Sequence, residues 1–125
     1  MILGIDVVYL HAFKAKDLSD WYSEILGLEL KFNSSDNSWQ EYRFRENPPT
    51  RFAIESVGMN PSEVEKQNIM ISFRVDDVKT MVRNLEEKGI EFLGSPKIKK
   101  EGFSIFATLQ DPGGNWIQLS QRVDE

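Results

Sequence analysis

Two side chains in this sequence of 125 residues carry obvious chemistry: His11, the only histidine, and Glu55, a carboxylate inside the apolar run RFAIESV. An imidazole changes charge near neutral pH. A carboxylate facing an apolar interior costs free energy unless it is paired, protonated or open to water. Period-two alternation puts Val7, Tyr9 and His11 on one face of a first strand and Met70, Ser72 and Arg74 on one face of a middle strand. The same rule groups Trp116, Gln118 and Ser120 on a last strand. Apolar and aromatic walls carrying a few polar groups describe a small-molecule site. Cysteine is absent, which excludes disulfides, thiolate metal sites and a thiol nucleophile. No HExxH, Gly-rich phosphate loop or GxSxG elbow is present.

The elements that must position these residues fall into two similar runs. IDVVYLHAFKA reads as a strand, and DLSDWYSEILG as a helix with Leu18, Trp21 or Tyr22, Ile25 and Leu26 on its apolar face, ended by Gly27. LELKF, SWQEYRF and RFAIESV read as strands separated by the turn formers NSSDN and ENPPT. After the polar connector GMNPSEVEKQN come the strand IMISFRV and the helix DDVKTMVRNLEEKG. Asp76 or Asp77 is its N-cap, Val78, Met81, Val82 and Leu85 form its apolar face, and Gly89 ends it. IEFLG, GFSIFATL and NWIQLSQ supply further strands, and SPKIKK has room for one more. Each half therefore reads β-α-β-β-β, and LGLEL after the first helix parallels KGIEF after the second. Two copies of one unit point to a duplicated module, whose two sheets side by side can enclose a cup.

The size allows one domain with a real core, here 1–125, with modules at about 1–58 and 68–125 joined by a connector at about 59–67. A formal charge of −5 argues against nucleic acid as the main partner, and KIKK at 97–100 reads as a solvated strand or loop end. The opening MILGIDVVYL lacks a basic n-region, and its apolar run falls short of the ~20 residues that span a bilayer. These features point to a cytoplasmic protein that engages neither membrane nor nucleic acid.

DLSDWYSEILGLEL, ISFRVDDVKTMVRNLEEKGIEF and DPGGNWIQL, in that order and with the repeat, resemble the vicinal oxygen chelate superfamily. That group includes glyoxalase I, extradiol dioxygenases, fosfomycin-resistance enzymes and bleomycin-binding proteins. The resemblance covers nearly the whole chain. It implies an α+β fold of two βαβββ modules forming a curved mixed sheet around a cup, often in a homodimer. It also implies a divalent metal with up to four ligands, two from each module. Carried over, the last-strand ligand lies seven residues after Asp111, at Gln118, and the one opening the second module at Met70. The ligand ending the first module falls at Glu55. The first-strand ligand falls at Val7 when anchored on Trp21-Tyr22 and LGL, or at Leu10 when anchored on Asp17-Leu18.

Val7, Glu55, Met70 and Gln118 make a poor donor set: an alkyl group, a thioether and a neutral amide stand beside one carboxylate. In the Val7 register His11 lies four residues further on, about 13 Å away, too far to share an ion with Glu55. In the Leu10 register it faces the opposite side. No metal cofactor is therefore expected. In the resemblance, His11 and Arg74 occupy matching positions suited to the polar ends of a small-molecule ligand lying over Val7, Met70 and Trp116, with Tyr9, Ser72 and Gln118 on the same face. Set against this, His11 reads as a hydrogen-bonded structural residue. Arg74 can pair with Glu55 or Asp76, and a Glu55–Gln118 pair is as good a reading as a ligand-reading one. Two functions remain open. One is a metal-free binding protein resembling the bleomycin-binding members. The other is a glyoxalase-type lyase or isomerase, or a dioxygenase-like enzyme, using an atypical metal set or Glu55 as a general base conditioned by burial.

Overall fold

A computed structural model describes residues 1–46 and 50–123. It is an α+β chain of eight strands and two helices, in the order β-α-β-β-β twice over. The elements are β1 (Ile2–Ala12), α1 (Ala15–Glu24), β2 (Leu30–Asn33), β3 (Trp39–Arg43), β4 (Arg51–Ser56), β5 (Ile69–Val75), α2 (Val78–Glu87), β6 (Ile98–Glu101), β7 (Ser104–Gln110) and β8 (Trp116–Arg122). Residues 47–49 of the expected turn ENPPT lie outside the described residues. No helix among the described residues is long and apolar enough to cross a membrane. The chain forms two compact units: an N-terminal one of Val7–Met70, and a C-terminal one of Met1–Asp6 with Ile71–Glu125. β1 is thus divided between them after Asp6.

Both units have the same topology. In the N-terminal unit β1 pairs parallel with β4, and β4, β3 and β2 pair antiparallel in turn. In the C-terminal unit β5 pairs parallel with β8, followed antiparallel by β7 and β6. The parallel pair in each requires a crossover, which the helix supplies.

Helix α1 starts two residues before the expected Asp17 and stops before Ile25. Its own N-cap, Lys14, offers no side-chain acceptor; the Ala15 N–H donates instead to Ser56 Oγ at the end of β4, at 3.1 Å. The repeat is visible here, because the Val78 N–H that opens α2 donates to Gln121 Oε1 of β8 at 3.0 Å. In each unit the last strand satisfies a donor the helix cannot satisfy internally. Asp77 is the N-cap of α2, accepting from the Thr80 N–H, and Gly27 and Gly89 adopt the positive φ expected just past each helix.

The apolar face of α1 differs from the expected one. Leu18 and Tyr22 do pack with Ala15, Tyr42, Ile54 and Phe52, but Trp21, Ile25 and Leu26 are exposed. The Tyr42 hydroxyl anchors the helix by donating to the Ser19 carbonyl at 2.8 Å and bonding the Ser19 and Ser23 hydroxyls. Around α2 the expected face holds: Val78 and Val82 are buried with Val75, Phe92, Ala107, Leu109 and Leu119, and Met81 and Leu85 pack against them. Burial of such side chains is worth about 1.5–3 kcal/mol each. IEFLG is not a strand; only Phe92 forms a bridge, to Leu109, while SPKIKK does contain β6.

Since each helix covers one face of its unit's strands, the alternate residues occupy the other. In the N-terminal unit these are Tyr9, His11, Trp39, Glu41, Arg51 and Glu55; in the C-terminal unit they include Ser72, Arg74, Trp116, Gln118 and Ser120.

Candidate functional site

In the N-terminal unit, strand register brings His11 directly opposite Glu55. His11 Nε2 lies 3.4 Å from Glu55 Oε1, which corrects the expectation that His11 sits too far along the strand to meet this carboxylate. The error was one of register: β1 and β4 pair with an offset of 55 − 11 = 44, so the histidine reaches the glutamate's level without crossing the strand. On the other side of the ring, Nδ1 is 2.7 Å from the Gln67 carbonyl oxygen. A carbonyl only accepts, so Nδ1 carries the proton. A neutral His11 would then aim an Nε2 lone pair at a carboxylate, whereas the imidazolium aims an N–H. Burial of the ring is the largest influence and lowers its pKa. The Glu55 contact, the Gln67 carbonyl and the charges of Glu55 and Glu65 together overcome it, and the net shift is upward from 6.5.

A pH dependence follows. The folded pKa of His11 is raised, so its contribution to stability is fully present below pH 6.5 and lost as pH rises through the folded value. With one histidine in the chain, an NMR titration reads this group alone. The expected midpoint lies above 6.5 in the parent and falls in Glu55→Gln. A parent midpoint at or below 6.5, or one unmoved by that substitution, would remove the ion pair from the account.

Beside the dyad, the Tyr9 ring lies edge-on to His11 at 5.4 Å between centroids and tilted against Trp39 at 5.1 Å. Trp39 stands opposite Glu55 in the register and donates its indole N–H to Glu41 at 3.2 Å. Glu41 is itself held by Arg51 at 2.7 Å, with both side chains about nine-tenths buried. Val7 and Met70 are 5% and 0% exposed, which leaves them little surface to offer a ligand; the Gln67 amide donates to Met70 Sδ at 3.2 Å. Glu55 keeps 37% of its side chain exposed, so it is not the buried carboxylate that the general-base reading expects.

The C-terminal unit carries a second polar cluster. Asp6, 1% exposed, accepts from Ser120 Oγ at 2.8 Å and from Arg74 Nη2 at 3.2 Å, and the Ser72 and Ser120 hydroxyls are 2.8 Å apart. Arg74 therefore pairs with neither expected acid: its partner is Asp6, and Asp76 meets the N-terminal amine at 3.1 Å. Gln118 stands between Ser72 and Thr108 on the neighbouring strands, with Trp116 opposite Gln110. The DPGGN turn sets this register. Asp111 Oδ1 accepts the N–H groups of Gly113 and Asn115, both at 2.9 Å, and Gly114 takes a φ of 88° that a side chain would resist. The Asn115 amide and backbone, with the Gly113 and Gly114 N–H groups, hold the Asp111 carboxyl below its ordinary range.

Sequence reasoning missed Trp39, Glu41, Arg51 and Asp6. Asp6 left a signal, an acid breaking an apolar strand; the other three needed the β3–β4 register.

The four positions implied for a divalent ion do not fit one. Glu55, the single strong donor, is engaged by His11, and no group of three or more His, Cys, Asp or Glu side chains occurs among the described residues. The sheet also decides the first-strand position. With Glu55 and Gln118 as counterparts, their partners His11 and Ser72 are counterparts, and two residues back Tyr9 matches Met70. Neither Val7 nor Leu10 holds that place. The Tyr9 phenol, its ring packed on His11 and Trp39 and 5% exposed, does not repair the set.

The profile of the Glyoxalase/Bleomycin resistance protein/Dioxygenase superfamily matches residues 5–119, and the chain belongs to that superfamily. An uncharacterized protein of Bacillus subtilis (strain 168), YraH, is 26% identical over 110 residues, 80% of this chain and 84% of that one. Among solved structures, methylmalonyl-CoA epimerase from Mycobacterium tuberculosis superposes with a TM-score of 0.75 at 18% identity, covering 98% of this chain and 90% of the other. A glyoxalase/bleomycin resistance protein/dioxygenase superfamily member from Vibrio splendidus 12B01 gives 0.67 at 15% identity, covering 92% and 96%. At these identities the structural likeness is one of fold.

Proposed function

We propose that this protein binds a small amphipathic or aromatic molecule without a metal ion, acting in the cytoplasm as a homodimer. The observation that carries this reading is the engagement of Glu55 by His11, which takes the one strong donor at the four family positions into an ion pair. The ligand-reading groups are those of the helix-free strand faces. Trp39 and Glu55 belong to the N-terminal unit, and Arg74, Trp116 and Gln118 to the C-terminal one; Tyr9, Ser72 and the His11 side chain, 5%, 1% and 3% exposed, position them from behind. Val7 and Met70 back them as packing. Trp39, packed on Tyr9, supplies aromatic surface, and Glu55, held by His11, supplies a polar edge beside it.

Native mass spectrometry after incubation with Zn²⁺, Ni²⁺, Mn²⁺ and Fe²⁺ tests the metal. The expected spectrum is an apo dimer, and chelator-treated protein retains binding of planar aromatic compounds, read by tryptophan fluorescence and lost in Trp39→Ala. One ion retained per chain, and lost on Glu55→Ala, would transfer the function to a metal enzyme.

A second reading is favoured by the dyad itself. A half-exposed carboxylate sharing a proton site with an oriented imidazole is equipped for proton abstraction next to a carbonyl. This would be an isomerase or lyase with Glu55 as base and His11 as its partner. It requires turnover that Glu55→Gln abolishes while ligand binding persists.

A further inference from the structure

The Arg74 guanidinium is held but not used up. Nη2 donates to Asp6, 34% of the side chain remains exposed, and Nε is buried with no partner among the described residues. Arginine carries five N–H donors in a planar fork that matches a carboxylate or phosphate. Behind it, the buried Asp6 carboxylate is fixed by the Ser120 hydroxyl, itself bonded to Ser72. An acid this deeply buried is costly, and Asp6 holds one end of a guanidinium whose side chain stays about one-third exposed. Arg74 stands opposite Ser120, and Gln118 lies two residues before Ser120 on the same face of β8. The Gln118 side chain is half-buried, and its amide makes no hydrogen bond among the described residues. Trp116 lies two residues further along that face. Charge, neutral amide donor and aromatic surface therefore follow one another at strand spacing.

We infer that this face of the C-terminal unit is an oxyanion receptor. Arg74 supplies the charge and Gln118 a second donor, and the molecule bound is a small organic anion, a carboxylate or a phosphate monoester. Asp6, Ser120 and Ser72 are positioning residues that keep the guanidinium fork aimed. The inference rests on the small-molecule reading for its biological meaning and adds to it the sign of the ligand's charge.

The test is an NMR titration of the full chain with benzoate, phenyl phosphate, inorganic phosphate and the neutral isostere benzamide, following the Arg74 Nε–H and the Gln118 side-chain amide. Benzoate or phenyl phosphate is expected to bind at least about tenfold more tightly than benzamide. Both reporter resonances should shift, and the stronger of the two anions names the source. In Gln118→Ala, which removes no hydrogen bond found among the described residues, the anion preference narrows severalfold. In Arg74→Lys, which keeps the charge beside Asp6, it narrows further because the fork is gone. Equal binding of benzoate and benzamide overturns the anion receptor while leaving a small-molecule binder standing. Phosphate shifts at Arg74 without any aromatic ligand at Trp39 would support the receptor and count against the proposed function. Anion-induced shifts confined to other residues, or no binding of any anion, would overturn the inference.

Discussion

Arg51→Leu is expected to cost about 3–5 kcal/mol of stability, read as a lowered urea midpoint at unchanged slope. Arg51 and Glu41 form a buried ion pair in the N-terminal unit, at 2.7 Å with side chains 10% and 8% exposed. Other donors to Glu41 are the Trp39 indole at 3.2 Å and Arg43 at 3.4 Å, the latter on a half-exposed side chain. Neither can replace a buried guanidinium, since an exposed pair is worth about 0–1 kcal/mol. The single substitution thus strands a carboxylate where water cannot reach it. Removing both partners removes that penalty, so Glu41→Leu/Arg51→Leu should recover most of the loss. A single variant within about 1 kcal/mol of the parent, or a double variant no better than the single, would show that the pair is not desolvated as the structure has it. The outcome bears on function as well, because the carboxylate that Arg51 neutralises also holds the indole that flanks Tyr9. Loss of the pair should loosen the aromatic surface before the fold fails.

What was legible in the sequence was whatever depends on neighbours in the chain. Helix α2 could be read almost whole, because its cap, narrowed to Asp76 or Asp77, its apolar face and its terminal Gly89 all lie within a few turns. The repeat could be read for the same reason. Helix α1 was harder: its first N–H is satisfied by Ser56, 41 residues away, so no local cap announces its start. Trp21, Ile25 and Leu26 have the spacing of a buried face yet remain exposed, since apolar type says what can be buried and not what is. At His11 and Glu55 the expectation failed at one step, the register of β1 on β4. A shift of two residues leaves every side chain on its proper face, so alternation cannot detect it. That shift moves the counterpart of Met70 from Val7 to Tyr9 and brings His11 onto Glu55. Period-two reasoning therefore sorted the faces correctly and misplaced the contacts along them.

The second large effect lies at Asp6 and Arg74, and its asymmetry is the informative part. Arg74→Met should cost about 3 kcal/mol, because it leaves the buried Asp6 carboxylate without its guanidinium while Ser120 still donates to it. Asp6→Asn should cost only about 1–2 kcal/mol. The amide oxygen can still accept from Ser120, and the half-exposed Arg74 side chain can turn toward water instead of remaining buried unpaired. The Asp6→Asn/Arg74→Met double variant should then be less damaged than the sum of the singles. Denaturant unfolding of the four proteins checks the order. If Asp6→Asn proved the more damaging single change, the energy would reside in the acid's other contacts and Arg74 would be a passenger. The expected order instead makes the arginine the group that the buried acid needs for stability, and the acid the group that the arginine needs for direction. An ion pair kept only for stability could be replaced by two apolar side chains at no net cost. One retained with about a third of the arginine side chain exposed keeps donors that an apolar pair would not provide.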